Sequence, residues 1–284
     1  MYDTSKLRLI ARGGQADIYE LGGDRVLRVI RDGKYRELAE TEYSVLCALH
    51  ENGRDVPKPY EFTSADGKPA LVVERIQGPS MLEAIGKDPI HMRRWAREFA
   101  RLHHAVLLPA DIPNVRKGTD RERYLLNHSE LLDTRMREFA STLHDSLPDG
   151  DILCHADFHP GNILIGNGRY YIIDWFGAYA GSAVSDVAHT YLLLRNVPRV
   201  PGQSALMHRI LRFAGGRLAR VYLTAYYELA PFDWGEFSKW TAVKAAERTF
   251  RGQPGEEVTL LRYLRQCMDA QARGVDPAIW WKML

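Results

Sequence analysis

Residues 155–162 read His-Ala-Asp-Phe-His-Pro-Gly-Asn, and residues 172–175 read Ile-Ile-Asp-Trp. This stretch places three polar side chains at fixed intervals: Asp157, Asn162 five positions later, and Asp174 twelve positions beyond that. Between Asn162 and Asp174, two short apolar runs flank the sequence Gly-Asn-Gly, a pattern that predicts a β-hairpin. We therefore expect the two carboxylates and the amide to surround one small hairpin.

These three side chains carry the kind of oxygen ligands that Mg²⁺ prefers, and Mg²⁺ usually binds few protein groups together with substrate phosphates. A carboxylate beside a metal-bound triphosphate can also accept a hydroxyl proton during phosphoryl transfer. A loop of Asp and Asn residues that only forms turns and caps would explain the same residues without chemistry. The preceding His155, the Pro-Gly pair and the predicted hairpin favour the catalytic interpretation.

The run His-x-Asp-x-x-x-x-Asn, followed by an apolar strand and Asp, resembles the catalytic core of the aminoglycoside phosphotransferase and choline kinase family. Enzymes of this family phosphorylate small molecules and are related to the protein kinases. The resemblance implies that Asp157 is the catalytic aspartate and that Asn162 and Asp174 are magnesium ligands. It further implies ATP and Mg²⁺ as cofactors and a small-molecule hydroxyl group as the acceptor.

A glycine-containing segment near the start of the chain occupies the position of the family's phosphate-binding loop. Gly13, Gly14 and Gln15 lie between two predicted strands, and glycines allow backbone amides to approach phosphate oxygens. A Gly-Gly pair is also common in ordinary turns. The nucleotide-binding interpretation of these residues therefore depends on the resemblance.

Arg28 stands on a predicted strand where the related kinases hold a phosphate-binding lysine. Arginine stays charged and can fork onto phosphate oxygens, although its geometry differs from that of lysine. The resemblance implies a glutamate partner on the following helix. Glu42 fits the family pattern Glu-x-x-x-Leu-x-x-Leu, whereas Glu40 and Glu37 are rival candidates. An exposed strand residue and a solvated helix face would explain the same residues.

Residues 71–78 resemble the family's hinge, in which backbone groups bond the adenine edge. The resemblance assigns this contact to the Glu74 carbonyl and the Ile76 amide. It extends over roughly residues 7–195, and within this range His103 and His155 are expected to be structural. Asp186 matches a family aspartate that braces the catalytic loop.

The hydrophobic pattern predicts an α+β chain with a small β-rich lobe and a larger helical lobe, and the resemblance implies that this bilobal fold is protein-kinase-like. Short strands and one amphipathic helix, expected at 34–50, fill the first 75 residues and predict a small antiparallel sheet. Long helices are expected at 90–107 and 121–147. We predict a nucleotide-binding lobe over residues 1–76 and a larger helical lobe over 77–284 that holds the catalytic loop and the acceptor.

Composition and charge exclude several other classes of protein. The chain has 284 residues, of which 26% are charged, and its formal net charge is +2. Residues 187–284 hold 14 basic and 8 acidic side chains, which disfavours a polycationic partner. We expect no nucleic-acid partner and no membrane span or signal peptide. Three widely spaced cysteines suit a reducing, cytoplasmic location.

Two alternatives to a small-molecule kinase are a protein kinase and a non-catalytic nucleotide-binding protein. His159 stands where protein kinases usually carry lysine, and Asp174-Trp-Phe departs from their Asp-Phe-Gly. Arg28 in the lysine position motivates the non-catalytic alternative, but the presence of Asp157, Asn162 and Asp174 together argues against it. The acceptor stays open between an aminoglycoside, a choline-like amino alcohol and a sugar.

Overall fold

The computed structural model describes residues 1–197, 202–250 and 255–284. The chain divides into two compact units. The sheet unit contains Met1–Asp88, Asp111–Val115 and Pro160–Ala178; the helical unit contains Pro89–Ala110, Arg116–His159 and Tyr179–Leu284. The lobe boundary after residue 76 stays a prediction.

The strands, numbered along the chain, are β1 (Arg8–Arg12), β2 (Ala16–Gly22), β3 (Arg25–Ile30), β4 (Pro59–Ala65), β5 (Lys68–Glu74), β6 (Arg116–Lys117), β7 (Ile152–Cys154), β8 (Ile163–Gly166), β9 (Arg169–Ile172) and β10 (Tyr179–Gly181). The α-helices are α1 (Arg36–Glu51), α2 (Met81–Lys87), α3 (Met92–Val106), α4 (Gly118–His128), α5 (Thr134–Asp145), α6 (Ala183–Arg195), α7 (Ala205–Leu229), α8 (Trp234–Thr249) and α9 (Glu257–Ala272). Helices therefore account for most of the helical unit, as the sequence predicts.

The sheet unit is built on an antiparallel sheet of order β1-β2-β3-β5-β4, with α1 joining β3 to β4 in sequence. Strand alternation directs Leu27 and Val29 to one face, where they pack with Val72 of β5. Arg28, between them in sequence, consequently projects from the opposite face. This small antiparallel sheet with its amphipathic helix confirms the predicted fold of the N-terminal segment.

The β8–β9 hairpin is present where the apolar runs predict it. Its strands pair from Ile163 opposite Ile172 to Gly166 opposite Arg169. Asn167 and Gly168 form the turn with φ values of 51° and 74°, a left-handed conformation that Asn and Gly tolerate best. The hairpin brings the residues that flank it, Asn162 and Ile173, directly beside each other, because the Ile173 amide donates to the Asn162 carbonyl at 3.0 Å.

Segment 121–147 forms two helices rather than the single long helix that its pattern predicts. Asp133 caps the start of α5 by accepting from the Met136 amide at 2.8 Å. The Arg137 side chain in turn binds carbonyl groups at the end of α4 and in the connection, including those of Ser129 and Leu132. The continuous-helix prediction was wrong because periodicity did not register these two capping interactions.

Charged side chains are buried where α4, α5 and α8 pack in the helical unit. Lys244 is fully buried and forms ion pairs with Glu122 and with Glu247, the latter at 3.0 Å. His144 lies 3.0 Å from the second carboxylate oxygen of Glu122. Burial alone would raise the pKa of Glu122, but Lys244 and His144 lower it to about 2. The network is charge-compensated and joins the three helices.

No helix within the described residues is both long and apolar enough to cross a lipid bilayer.

Candidate active site

Arg28 is the centre of an ion-pair cluster in the sheet unit. Its Nε donates to Glu42 Oε2 at 3.2 Å, and its Nη2 donates to Asp174 Oδ1 at 2.7 Å. The Arg28 side chain is 16% exposed and that of Glu42 is 2% exposed, so this ion pair is largely shielded from water, whereas the pair with Asp174 is partly accessible. The structure thus contains the Arg28–Glu42 pair that the resemblance implies, and it adds Asp174 as a second partner of Arg28.

Helix periodicity explains why Glu42 is the partner of Arg28. Glu42 follows buried Ala39 by three positions and precedes buried Leu46 by four, so it lies on the inward face of α1. Glu40 instead pairs with Arg36 at 3.0 Å on the outer face, and Glu37 is exposed. Burial raises the pKa of Glu42 to about 7, although Arg28 opposes this shift.

Asp174 follows β9 in a left-handed conformation, with φ 65° and ψ 58°. The short 3-10 helix that comes next fixes its position, because Trp175 is fully buried and Phe176 packs edge-on against Tyr35 at 5.9 Å. The Asp174 side chain remains 31% exposed. A carboxylate held by buried neighbours yet accessible to solvent is suited to bind a cation.

Asn162 ends the short 3-10 helix that precedes β8, and it is 9% exposed. Asn162 and Asp174 therefore flank the two paired strands of the hairpin. Their ligand atoms are an amide oxygen and carboxylate oxygens, which are hard ligands. These residues therefore fit Mg²⁺. No group of three or more His, Cys, Asp or Glu side chains suited to a metal occurs in residues 1–197, 202–250 and 255–284.

The segment predicted to bind phosphate connects β1 to β2. The Gly13 amide donates to the Ala16 carbonyl at 2.9 Å, and the Gln15 carbonyl accepts from the Arg31 amide at 3.1 Å. A Cβ at Gly14 would meet nothing within 4 Å, so packing within the chain does not require glycine there. Gly13, Gly14 and Gln15 are all exposed, and their contact with phosphate stays a prediction.

The predicted hinge passes closely over the hairpin. Gly78 has φ 153°, and a Cβ there would lie 1.8 Å from the Ile165 carbonyl oxygen. A Cβ at Gly166 would lie 2.8 Å from Ile76 Cγ2. Glu74 ends β5, and its side chain accepts from the Lys58 amide at 3.1 Å. The adenine contacts assigned to Glu74 and Ile76 stay predictions.

In the helical unit, Asp186 of α6 holds the backbone that leads to Asp157. Its carboxylate accepts from the His155 amide at 2.8 Å and from the Ala156 amide at 2.9 Å. Ala156 has φ 66°, an uncommon conformation for a residue with a side chain. The two hydrogen bonds stabilise this strained turn, so the bracing role predicted for Asp186 agrees with its contacts.

His103 supports Asp186 from α3. Its Nε2 donates to Asp186 Oδ2 at 3.1 Å, and its Nδ1 lies 2.6 Å from the Tyr222 hydroxyl oxygen. Burial alone would raise the pKa of Asp186, but His103 and the His155 amide together hold it well below its usual range. No sequence pattern indicated a role for Tyr222, because a tyrosine within a helical pattern is indistinguishable from other core residues.

Asp157 projects from this rigid loop with its side chain 31% exposed. The next residue, Phe158, is fully buried and stacks on Phe99 and on His103, with ring centroids 4.8 and 4.1 Å apart. His159 Nε2 lies 3.9 Å from Asp157 Oδ2. Asp157 belongs to the helical unit, whereas Asn162 and Asp174 belong to the sheet unit.

A family model described as APH, the phosphotransferase enzyme family, matches residues 6–240. The chain belongs to this family. The match confirms the family that the catalytic motif predicts. No curated protein sequence matches the chain.

Solved structures confirm the kinase-like fold of this phosphotransferase family member. The aminoglycoside phosphotransferase APH(4)-Ia has a TM-score of 0.61 and 17% identity, over 95% of this chain and 93% of that chain. Amicoumacin kinase hAmiN, in complex with AMP-PNP, Ca²⁺ and Ami, has a TM-score of 0.60 and 15% identity, over 94% and 89%. APH(2")-IIa, in a ternary complex with streptomycin and ATP, has a TM-score of 0.57 and 16% identity, over 92% of this chain and 91% of that chain.

Proposed function

We propose that this chain transfers the γ-phosphoryl group of ATP to a hydroxyl group of a small molecule, with Mg²⁺. The main support for this proposal is the cluster in which Arg28 contacts both Glu42 and Asp174. It supports catalysis because a non-catalytic nucleotide-binding protein would not need an accessible carboxylate fixed beside a shielded cation. Membership of the phosphotransferase family supports the same conclusion.

Arg28 binds the phosphates of the nucleotide in this proposal. Glu42, buried behind it, fixes the guanidinium, so that the charge of Arg28 is positioned before the nucleotide arrives. The backbone at Gly13 and Gly14 would contribute amide donors to the phosphates. The carbonyl of Glu74 and the amide of Ile76 would bind the adenine edge.

Asn162 and Asp174 are the residues that would hold Mg²⁺. When bound, the metal neutralises negative charge on the phosphates. With the metal bound, Asp174 would have a second cationic partner besides Arg28. Its left-handed backbone and the buried Trp175 keep the carboxylate in place while these charges compete for it.

Asp157 orients the acceptor hydroxyl group and accepts its proton as the new bond to phosphorus forms. Its exposed side chain leaves the carboxylate accessible to an acceptor, and the bracing by Asp186 limits its motion. The transfer is direct and in line, with no covalent intermediate on the protein.

The acceptor class is a neutral or weakly cationic hydroxyl compound. Similar structures contain hygromycin B or streptomycin, which are bound by those proteins. In this chain residues 187–284 carry a net charge of +6, which disfavours a strongly polycationic antibiotic. Sugars and choline-like amino alcohols are the preferred candidates.

The test is an ADP-release screen over a panel of sugars, amino alcohols and aminoglycosides. Asp157→Asn should lower the acceptor-dependent rate by about 10²–10⁴-fold, because it removes the proton acceptor. Asp151→Asn is the matched control, since Asp151 is an exposed aspartate six residues earlier in the same unit. Equal rates for Asp157→Asn and the wild type would contradict the assignment.

A further inference from the structure

A groove lined by arginine lies on the surface of the helical unit, against the N-terminal half of α3. Its central part has a volume of about 360 Å³. We call it the arginine groove and define it by seven residues from three helices: Arg93, Arg97, Arg195, Arg209, Arg212, Arg217 and Arg220. Arg93 is ten residues from His103, which is about 15 Å along the helix. The groove is thus distinct from the Asp157 loop.

None of these seven arginines forms an ion pair with a carboxylate in the described part of the chain. Other arginines do so: Arg31 pairs with Asp17 at 2.7 Å, and Arg123 pairs with Asp145 at 3.0 Å. The sequence of α7 contains a single acidic residue, Glu228, which lines one end of the groove together with Arg97 and Arg220. Seven cations beside one carboxylate repel one another, and a bound anion would reduce this repulsion.

One arginine of the groove, Arg195, has a buried hydrogen-bond donor without an acceptor among the described residues. This donor is the Nε of Arg195, which has no hydrogen-bond partner in residues 1–197, 202–250 and 255–284. Its guanidinium lies against α7 at Gly216, where a Cβ would come within 2.8 Å of Nη1. Glycine at this position therefore makes room for the Arg195 side chain. A buried donor without an acceptor is costly, so it points to an acceptor supplied from outside the chain.

The side chains indicate which anion would bind. Every basic residue of the groove is arginine, whose planar guanidinium forms paired hydrogen bonds with phosphate oxygens. From Arg209 to Arg220 the groove follows α7 for about 16 Å, which exceeds the width of one phosphate group. Phe213, 75% exposed, lies beside these arginines and offers an apolar contact.

We propose that the arginine groove binds a ligand that carries two or more phosphate groups. Two kinds of ligand present such phosphate groups: a free oligophosphate, and the headgroups of an anionic phospholipid surface. The exposed Leu206, Ile210 and Phe213 recur at helical spacing along α7 and would contact acyl chains in the second case. The proposal does not depend on the phosphotransferase activity, because none of its residues belongs to the candidate active site.

The experiment compares two double variants with the wild type. Arg212→Gln/Arg220→Gln removes two charges from the groove, and Arg262→Gln/Arg265→Gln removes two exposed arginines from α9 as the matched control. Sodium tripolyphosphate is titrated by calorimetry at about 0.15 M ionic strength with EDTA, to exclude divalent cations. In parallel, each protein is sedimented with vesicles of phosphatidylcholine containing one fifth phosphatidylglycerol.

The groove variant should weaken binding by about tenfold or more, and the control should stay within about twofold of the wild type. Tripolyphosphate binding in solution assigns the groove to a free oligophosphate, and binding to vesicles alone assigns it to a lipid headgroup. Tripolyphosphate resembles the phosphates of a nucleotide, so binding alone does not locate the site on the protein. The test therefore depends on the difference in affinity between the groove variant and the control variant. Equal weakening in both variants, or no binding of either probe by the wild type, would overturn the proposal.

Discussion

Asp174 and Asp186 are both motif aspartates, yet their surroundings differ in nearly every respect. Asp186 is fully buried, and its carboxylate accepts from the His155 amide, the Ala156 amide and His103. Asp174 is 31% exposed and is paired with a single cation, Arg28. The first carboxylate is saturated by donors from its own chain, whereas the second retains access to solvent.

This difference indicates whether an aspartate in this fold has a structural role or a chemical role. A carboxylate whose oxygens are already bonded inside the protein has no capacity left for a substrate or metal, and its removal leaves buried donors unpaired. An accessible carboxylate contributes less to folding, because water can replace its partner. Asp186 should therefore govern stability, and Asp174 should govern activity.

The largest expected effect is on the free energy of unfolding. Asp186→Asn should lower it by about 3–5 kcal/mol at pH 7, because the buried hydrogen bonds of the carboxylate with His103 and with two backbone amides are disrupted. Asp174→Asn should lower it by about 1 kcal/mol or less. Urea unfolding followed by circular dichroism measures both. Similar losses in the two variants would remove the distinction between the residues.

A smaller effect is expected at His103, which donates to Asp186. His103→Gln should lower the free energy of unfolding by about 1–3 kcal/mol, since it disrupts the contacts with Asp186 and Tyr222. His104→Gln is the control, because His104 is the exposed neighbour on the same helix. If both variants unfolded at the same urea concentration, the buried hydrogen bonds of His103 would have no energetic role.

The smallest effect is a change with pH that should be specific to Asp186. The pKa of Asp186 is below its usual value of 3.8, so its stabilising contribution is present above pH 3.8 and declines as the pH falls. The difference in unfolding free energy between the wild type and Asp186→Asn should shrink by about 1 kcal/mol from pH 7 to pH 3. Urea titrations at the two pH values measure this, and an unchanged difference would contradict the lowered pKa.

Local sequence patterns predicted much of the fold and the positions around the hairpin. The apolar runs that flank Gly-Asn-Gly predicted β8 and β9, and the family pattern selected Glu42 over Glu40 and Glu37 as the partner of Arg28. These interactions depend on short-range spacing, which a sequence displays directly.

Other features depend on contacts between distant residues and were not predictable. The Arg28–Asp174 ion pair joins residues 146 positions apart, and the His103–Tyr222 contact spans 119. The break between α4 and α5 depends on Arg137 reaching back to carbonyl groups, a role that many exposed arginines on helices do not have. Hydrophobic periodicity indicates which face of a helix is buried, but it does not indicate which side chain contacts that face.

The proposed reaction transfers the γ-phosphoryl group of ATP to a hydroxyl group, with Asp157 as the proton acceptor. The most direct measurement follows ATP labelled at its γ-phosphate, incubated with Mg²⁺ and an acceptor selected by the ADP-release screen. We expect the label in a phosphate monoester of the acceptor with the wild type and with Asp151→Asn, and about 10²–10⁴-fold less of it with Asp157→Asn. Label found only in inorganic phosphate, or transferred equally by the Asp157→Asn protein, would contradict the claim.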